Sequence, residues 1–194
     1  MEPSAMFLKG TVCELRVLEM SDHEAATFTK AVNAGLTTEW LWTGSIPMAP
    51  IDTLAVWKKE REAGSIEFGV WVEGKFCGTT GLYSKRDVYR EWEFRILIFD
   101  PDCVGKGIGS EATWLVVDYC FRRMNGWRCY LGVNEMNERA VRCYRQVGFV
   151  QEGLLRDAIY TYGRYYNAVR MSILRPEWEE LCKVREVEIT GPIP

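Results

Sequence analysis

A glycine-rich segment past the middle of the chain has the residue types and spacing of a phosphate-binding loop. The segment comprises Val104, Gly105, Lys106, Gly107, Ile108, Gly109 and Ser110. It follows an apolar, strand-like run at 94–99 and precedes a helical pattern at 111–123. A glycine turn in this position leaves backbone N–H groups unpaired at the helix N-terminus, where the helix dipole also favours anions. The sequence therefore predicts a ligand that carries a phosphate or a pyrophosphate.

Two common nucleotide-binding loops do not fit this spacing. A nucleotide-kinase loop needs Gly-x-x-x-x-Gly-Lys-Ser/Thr, but Gly107 follows Lys106 and no hydroxyl is placed to hold magnesium. A dinucleotide fingerprint needs Gly-x-Gly-x-x-Gly, and here the third glycine, Gly109, comes one residue early. Both nucleotide classes are therefore disfavoured. A merely flexible loop is also disfavoured, because each glycine loses conformational entropy on ordering.

Composition and charge limit the class of protein. The 194 residues predict one domain, with a core at about 11–178 and a loose tail at 185–194. The net charge is −3 and there is no basic block, so nucleic acid and acidic lipid are not expected partners. The chain has no apolar run long enough to span a membrane and no signal-peptide pattern at its start, so we expect a cytoplasmic protein.

The cysteines and the histidine restrict the chemistry. The seven cysteines form no Cys-x-x-Cys pair, and this usage predicts reduced, buried thiols. The single histidine, His23, excludes a zinc site built on several histidines, and it excludes a Ser-His-Asp hydrolase unless His23 itself is the base. We therefore predict no metal, and acid–base chemistry that uses Glu, Asp, Tyr, Cys or water.

Hydrophobic periodicity predicts the elements that position the glycine loop. Predicted strands lie at 11–18, 66–72, 76–82, 92–98, 128–133, 149–159 and 165–174. Predicted helices lie at 23–33, 52–63, 111–123 and 137–147, with a terminal helix from 176. This order indicates an α+β fold around a mostly antiparallel sheet.

A second segment, at 134–149, carries a family resemblance. It matches Asn-x-x-Ala-x-x-x-Tyr-x-x-x-Gly-Phe at Asn137, Ala140, Tyr144, Gly148 and Phe149. This pattern resembles the GNAT superfamily of N-acetyltransferases, and the glycine loop is similar to that family's acetyl-CoA loop, Arg/Gln-x-x-Gly-x-Gly/Ala. One position departs, because valine stands at 104 where the family has Arg or Gln. The resemblance covers about 11–178 and implies a mixed, mostly antiparallel sheet that is splayed between two middle strands and flanked by helices on both faces.

The resemblance implies an acetyl-CoA-dependent N-acetyltransferase that moves an acetyl group to a primary amine by direct attack on the thioester in a ternary complex. It implies that Tyr144 is the general acid for the departing thiolate, although Tyr144 could instead serve only core packing. It also implies that Asn137 contacts the pantetheine arm, although it could only cap its helix. The implied cofactor-binding residues are Leu97, Ile98, Phe99, Val104, Gly105, Lys106, Gly107, Ile108, Gly109, Ser110, Asn137, Ala140 and Tyr144. A backbone N–H near Leu97 or Ile98 is expected to face the thioester carbonyl.

The general base and the acceptor stay open at this point. Glu93 is a candidate base, but a water chain or a simple Glu93–Arg95 ion pair is an equal alternative. Candidate walls and acidic groups of the acceptor pocket are Glu39, Trp40, Trp42, Asp52, Tyr160, Tyr162, Tyr165 and Tyr166. The segment at 93–96 and the final hairpin resemble the branch that acetylates ribosomal-protein N-termini, polyamines and amino sugars. We therefore expect a small amine or a protein N-terminus as acceptor, and a homodimer is compatible with this branch. A non-catalytic acyl-CoA-binding module is the alternative function.

Overall fold

The protein is described by a computed structural model that covers residues 6–35, 46–161 and 163–185. Its strands are β1 (Met6–Lys9), β2 (Glu14–Val17), β3 (Ile66–Val72), β4 (Lys75–Arg86), β5 (Glu91–Ile98), β6 (Arg128–Asn134), β7 (Val150–Thr161) and β8 (Arg164–Leu174). Its helices are α1 (Asp22–Asn33), α2 (Pro50–Glu62), α3 (Ile108–Arg122), α4 (Glu138–Val147) and α5 (Arg175–Val184).

The strands form one sheet in the order β1-β2-β3-β4-β5-β6-β8-β7. Every neighbouring pair is antiparallel except β5 and β6, which run parallel. The connection between the two parallel strands contains a whole helix, α3, as parallel neighbours require. The predicted α+β class with a mixed, mostly antiparallel sheet is confirmed.

The sheet opens between its two middle strands. β5 and β6 pair only at Glu91–Arg128, Trp92–Cys129 and Glu93–Tyr130. Beyond these pairs, residues 94–98 of β5 remain paired with β4 alone, and residues 131–134 of β6 remain paired with β8 alone. We call the gap between these two stretches the wedge. The predicted splay is confirmed, and it leaves the backbone groups on one edge of each strand without a sheet partner.

Helices cover both faces of the sheet, so the protein has two cores. The larger core includes Trp92 and Phe94 of β5 together with Leu115 of α3. The smaller core joins Trp57 of α2 to Phe99, just after β5. Alternation along β5 therefore sends successive side chains to different helices, and the two faces of the wedge have different neighbours.

Several boundaries differ from the sequence prediction, and two of them bear on the candidate site and the core. β1 was not predicted, yet it pairs with β2, and Leu8 in it is fully buried. A four-residue strand is too short to show a hydrophobic period, so only the pairing reveals it. The core accordingly begins before residue 11. α3 begins at Ile108 instead of 111, which places Gly109 and Ser110 in its first turn.

Candidate functional site

The glycine loop adopts backbone conformations that favour glycine. Gly105 and Gly107 have φ angles of 79° and 80°, in the left-handed region. A Cβ built at either position would meet no protein atom within 4 Å, so the space above the loop is open. Glycine is therefore required at these positions by the backbone conformation and not by close packing. The open space above the two residues fits an oxyanion.

The start of α3 supplies the donors for such an anion. Gly107 is the N-cap and offers no side chain, and the first helical hydrogen bond runs from Glu111 N–H to the Gly107 carbonyl oxygen at 3.0 Å. The N–H groups of Ile108, Gly109 and Ser110 precede that bond and so have no partner within the helix. Val104 does not contribute in this way, because its N–H donates to the Pro101 carbonyl oxygen at 3.2 Å. The N–H of Val104 therefore has a partner within the chain, and the place of Val104 among the cofactor-binding residues stays a prediction.

A cavity beside α3 has both basic and acidic side chains in its lining. Its volume is about 1290 Å³, and its lining includes Gly107 and Ser110 of the loop, the basic Lys9, Lys106, Arg122 and Arg185, and the acidic Glu111 and Asp118. The buried Ile108 side chain anchors the loop in the core, whereas the Lys106 side chain is exposed to solvent. This arrangement suits a ligand that carries several negative charges.

Glu111, in the first turn of α3, is a negative charge near the same cavity. Its carboxylate accepts hydrogen bonds from the backbone N–H groups of Thr11, Val12 and Cys13 at 2.6, 2.8 and 2.9 Å. Burial tends to raise the pKa of Glu111, but the hydrogen bonds from Thr11 and Val12 outweigh it, and the net pKa lies below the ordinary value. The charge of Glu111 is therefore used to hold the β1–β2 turn against α3.

One backbone N–H near the end of β5, that of Ile98, points into the wedge. Phe99 N–H donates to the Cys77 carbonyl oxygen at 3.0 Å, on the β4 side. Successive N–H groups of a strand point to opposite edges, and Leu97 lies opposite Thr79 of β4. The N–H of Leu97 is therefore directed to β4, and that of Ile98 is directed into the wedge. The side chains of Leu97 and Phe99 pack in the smaller core.

α4 lies against the larger core and carries the residues of the second motif. The Asn137 side chain accepts from Ala140 N–H at 3.1 Å, so its role as a helix cap is present. Ala140 is half-buried against the larger core. The Ser110 hydroxyl lies 3.1 Å from the Cys143 thiol, which ties α4 to the first turn of α3. The loop and α4 therefore meet, as both motifs require.

Tyr144 lies where the wedge begins. Its ring packs edge-on against Phe94 and Phe149, with centroid distances of 6.3 and 5.7 Å. Phe94 is the first residue of β5 after the last β5–β6 pair, at Glu93–Tyr130. Burial, and to a lesser extent the neighbouring Cys143, raises the pKa of Tyr144 above its ordinary value. The phenol is therefore protonated at neutral pH, as a proton donor must be.

Glu93 lies on the opposite face of β5 from Phe94 and is ion-paired. Its two carboxylate oxygens accept from Nε and Nη2 of Arg95 at 3.1 and 3.2 Å. Arg95 also reaches Glu60 of α2 at 3.2 Å and stacks over the Tyr83 ring at 4.4 Å. The Glu93–Arg95 pair that the sequence offered as an alternative is present, and the assignment of Glu93 as base stays a prediction.

Sequence reasoning missed a buried carboxylate on the same face. Glu67 of β3 is 4% exposed, and burial raises its pKa to about 7. Tyr83 O–H donates to Glu67 Oε1 at 3.0 Å, and Oε2 has no hydrogen-bond partner among the described residues. The available signal was one carboxylate in the apolar strand Ile-Glu-Phe-Gly-Val-Trp-Val. Alternation alone places such a residue on a strand face but does not show that helices bury that face.

The predicted acceptor walls are placed only in part. Tyr160 and Tyr165 pair on the final hairpin with ring centroids 4.9 Å apart, and both are exposed, whereas Tyr166 is half-buried. Asp52 accepts from Ala49 N–H at 2.8 Å and so caps α2. The candidates Glu39, Trp40, Trp42 and Tyr162 lie outside the described residues.

Comparison with known proteins agrees with this geometry. The sequence model of the Acetyltransferase (GNAT) family matches residues 29–149, so the chain belongs to the GNAT acetyltransferase family. Spermidine N(1)-acetyltransferase of Escherichia coli (strain K12) is 37% identical over 111 residues, which are 57% of this chain and 59% of that enzyme. YdaF of Bacillus subtilis (strain 168), whose name assigns it to ribosomal N-acetyltransferases, is 28% identical over 85% of this chain and 92% of its own length.

Solved structures show the same fold. A spermidine N-acetyltransferase from Vibrio cholerae in complex with CoA and spermine has a TM-score of 0.78 and 26% identity, covering 88% of this chain and 99% of that one. RimL, a ribosomal L7/L12 α-N-protein acetyltransferase in complex with CoA, has a TM-score of 0.78 at 15% identity, covering 88% of this chain and 98% of its own. Across the described ranges, no helix is both long and apolar enough to cross a membrane.

Proposed function

We propose that the protein is an acetyl-CoA-dependent N-acetyltransferase that transfers the acetyl group directly to a primary amine in a ternary complex. One observation carries the proposal: a glycine loop with open space above it lies at the end of the strand whose free edge lines the wedge. A phosphate at the loop and an extended thioester arm along β5 can therefore belong to one ligand. CoA is such a ligand, and two solved relatives are described in complex with it.

The described residues supply the groups that acetyl transfer needs. The N–H groups of Ile108, Gly109 and Ser110, with Lys106, hold the pyrophosphate. The N–H of Ile98 donates to the thioester carbonyl oxygen, where negative charge develops as the amine attacks. Tyr144 gives its proton to the departing thiolate. Asn137 contacts the pantetheine arm while it caps α4, and Ala140 leaves room for the arm to pass.

The acceptor is a small amine or a protein N-terminus. Relatives are named for spermidine and for ribosomal protein, which present primary or N-terminal amines. The reaction uses no metal, and we expect it in the cytoplasm without nucleic acid or membrane as partner. Subunits are expected to self-associate, since one spermidine N-acetyltransferase relative from Vibrio cholerae is described as dodecameric.

A non-catalytic acyl-CoA-binding module is the second candidate. Val104 favours it, because valine supplies no polar side chain at the start of the loop and its own N–H is bonded to Pro101. In this case the protein binds acetyl-CoA but does not consume it with any amine.

Calorimetric titration with acetyl-CoA, with NAD and ATP as controls, tests the ligand, and release of free CoA with a panel of amines tests the reaction. The proposal expects micromolar binding of acetyl-CoA alone and CoA release with at least one amine. Tight binding without release with any amine supports the binding module. Preferential binding of NAD or ATP overturns both functions.

A further inference from the structure

Glu67 is the centre of a buried polar cluster that the proposed chemistry has not yet used. Glu67, Gly81 and Arg95 lie opposite one another on β3, β4 and β5, so their side chains share one face of the sheet. Gly81 has no side chain, and a Cβ there would clash with the Ile66 carbonyl oxygen. The close approach of β3 to β4 therefore requires glycine at position 81.

The charges facing Glu67 come from three directions. Glu60 and Arg61 approach from α2, Arg95 approaches from β5, and Tyr83 on β4 donates its hydroxyl proton to Oε1. Burial disfavours the charged carboxylate, while the Tyr83 hydrogen bond and Arg61 favour it. An ionised carboxylate with one oxygen unpaired in a buried site is costly, so Oε2 is a natural place for a proton. Glu67 can therefore take up and release a proton near neutral pH.

The cluster lies on the opposite face of the sheet from the proton donor, and Arg95 is its member on a strand that borders the wedge. Tyr144 packs against Phe94 on the α4 face, whereas Arg95 and the cluster under it lie on the α2 face. Acetyl transfer needs a proton removed on the side where the ammonium arrives and a proton supplied on the side where the thiolate leaves. Glu67 and Tyr144, two of the groups whose pKa values burial raises, lie on opposite faces of the sheet.

We propose that Glu67, acting through the Tyr83 hydroxyl, takes up the proton that the acceptor ammonium loses before attack. This inference rests on the proposed function. Glu67 does not contact the acceptor, so it is a positioning and proton-storing residue and not a catalytic one.

The transfer balances without another reactant. The ammonium loses one proton to the Tyr83 oxygen, directly or through water, as Tyr83 passes its own hydroxyl proton to Glu67. The neutral amine then forms the new C–N bond. The C–S bond breaks with its electron pair on sulfur, and the thiolate takes the proton of Tyr144. The proton that the amide nitrogen sheds restores Tyr144, and Glu67 returns its proton to solvent.

Glu93 fits this task less well. Arg95 holds both of its oxygens, so protonation of Glu93 breaks two charge-assisted hydrogen bonds. Protonation of Glu67 breaks no hydrogen bond at Oε2, because that oxygen has none among the described residues. The energetic difference favours Glu67 as the store.

The test compares the pH profile of kcat for the wild type, Glu67→Gln and Tyr83→Phe with a strongly basic alkylamine as acceptor. Wild-type kcat is expected to fall below about pH 7, the pKa of Glu67. Both variants are expected to lose this dependence and about tenfold or more of kcat, within the usual range of acid–base contributions. Their affinity for acetyl-CoA, measured by calorimetry, stays that of the wild type and reports intact folding.

Two controls separate proton storage from structure. Glu60→Gln removes a carboxylate that also binds Arg95 but does not bond Tyr83, so it keeps the acidic limb of the profile; the limb moves to lower pH, because the Glu60 charge raises the pKa of Glu67. An aromatic amine, which is already unprotonated at neutral pH, is expected to restore the variants to within about threefold of the wild type. An unchanged acidic limb in Glu67→Gln, or an equal loss with both amines, overturns the inference. Failure of the wild type to release CoA with every amine overturns the proposed function and this inference together.

Discussion

Replacement of Glu67 by Gln should change how the stability of the protein depends on pH. Burial raises the pKa of Glu67 from an ordinary value of 4.5 to about 7. The native state therefore binds more protons than the unfolded state between these two values, and the free energy of unfolding falls as the pH rises through this window. Below about pH 4.5 Glu67 is protonated in both states, so its burial does not lower the free energy of unfolding. Above about pH 7 Glu67 is ionised in both states, and the full cost of burying its charge lowers the free energy of unfolding.

The magnitude follows from the two pKa values. One pKa unit corresponds to about 1.4 kcal/mol, so a pKa of about 7 instead of 4.5 costs about 3 kcal/mol at high pH. Gln cannot ionise, and it keeps an oxygen that can accept from Tyr83. It also places an unpaired NH₂ group in the site, which adds a cost that does not depend on pH. The expected result is therefore a change in how the free energy of unfolding depends on pH. Between about pH 5 and pH 8, the free energy of unfolding of Glu67→Gln rises by about 3 kcal/mol relative to that of the wild type.

Urea unfolding at several pH values, with linear extrapolation to water, measures this difference. Glu60→Gln is the matched control, because it removes a neighbouring carboxylate that also binds Arg95 but keeps Glu67, so the fall in the free energy of unfolding with rising pH remains. Parallel curves for Glu67→Gln and the wild type would refute the argument that this carboxylate is buried and poorly solvated.

Three further outcomes are expected. Tyr144→Phe lowers kcat about tenfold or more without weakening acetyl-CoA binding, because only the hydroxyl is lost; unchanged steady-state kcat removes Tyr144 from the acid role. Gly107→Val abolishes acetyl-CoA binding in calorimetry, whereas Gly74→Val, which has a similar φ of 79° and similar open space in the β3–β4 turn, leaves affinity intact; equal affinities contradict the loop assignment. Glu111→Gln lowers the free energy of unfolding near pH 7 by about 1–3 kcal/mol, because weaker hydrogen bonds then hold the β1–β2 turn. The pKa of Glu111 is lowered in the native state, so this loss shrinks as the pH falls below about 4.5; a loss that is constant with pH in urea unfolding contradicts the charge argument.

Long periodic elements were predictable, and short or interrupted ones were not. The bounds of α3 and β5 were predicted within three residues, because the apolar side chains of each element recur at its own period. β1 escaped prediction because four residues show no period. The end of β4 at Arg86 was also missed, since its last residues are polar and are held by backbone pairing with β5.

The candidate site divides in the same way. Gly105 and Gly107 were identified from spacing, and their positive φ angles give the reason for that spacing. Which of Leu97 and Ile98 directs its N–H into the wedge could be read only from the ladder between β4 and β5, because a strand pattern does not tell which edge a given N–H faces. The Glu93–Arg95 pair was foreseen only as an alternative, since i and i+2 share a face but need not touch.

The amino-acid sequence by itself determined the α+β class, the family resemblance and the positions of the glycine loop and of Tyr144, because these depend on local residue types and spacing. The tertiary structure alone decided which groups meet at the wedge. Tyr144 packs against Phe94 although 50 positions separate them, and Glu67 accepts a hydrogen bond from Tyr83 of β4 while Arg95 lies on the same face two strands away. The protonation of such groups depends on how much water the surrounding helices exclude, and that exclusion is a property of packing which no local pattern contains.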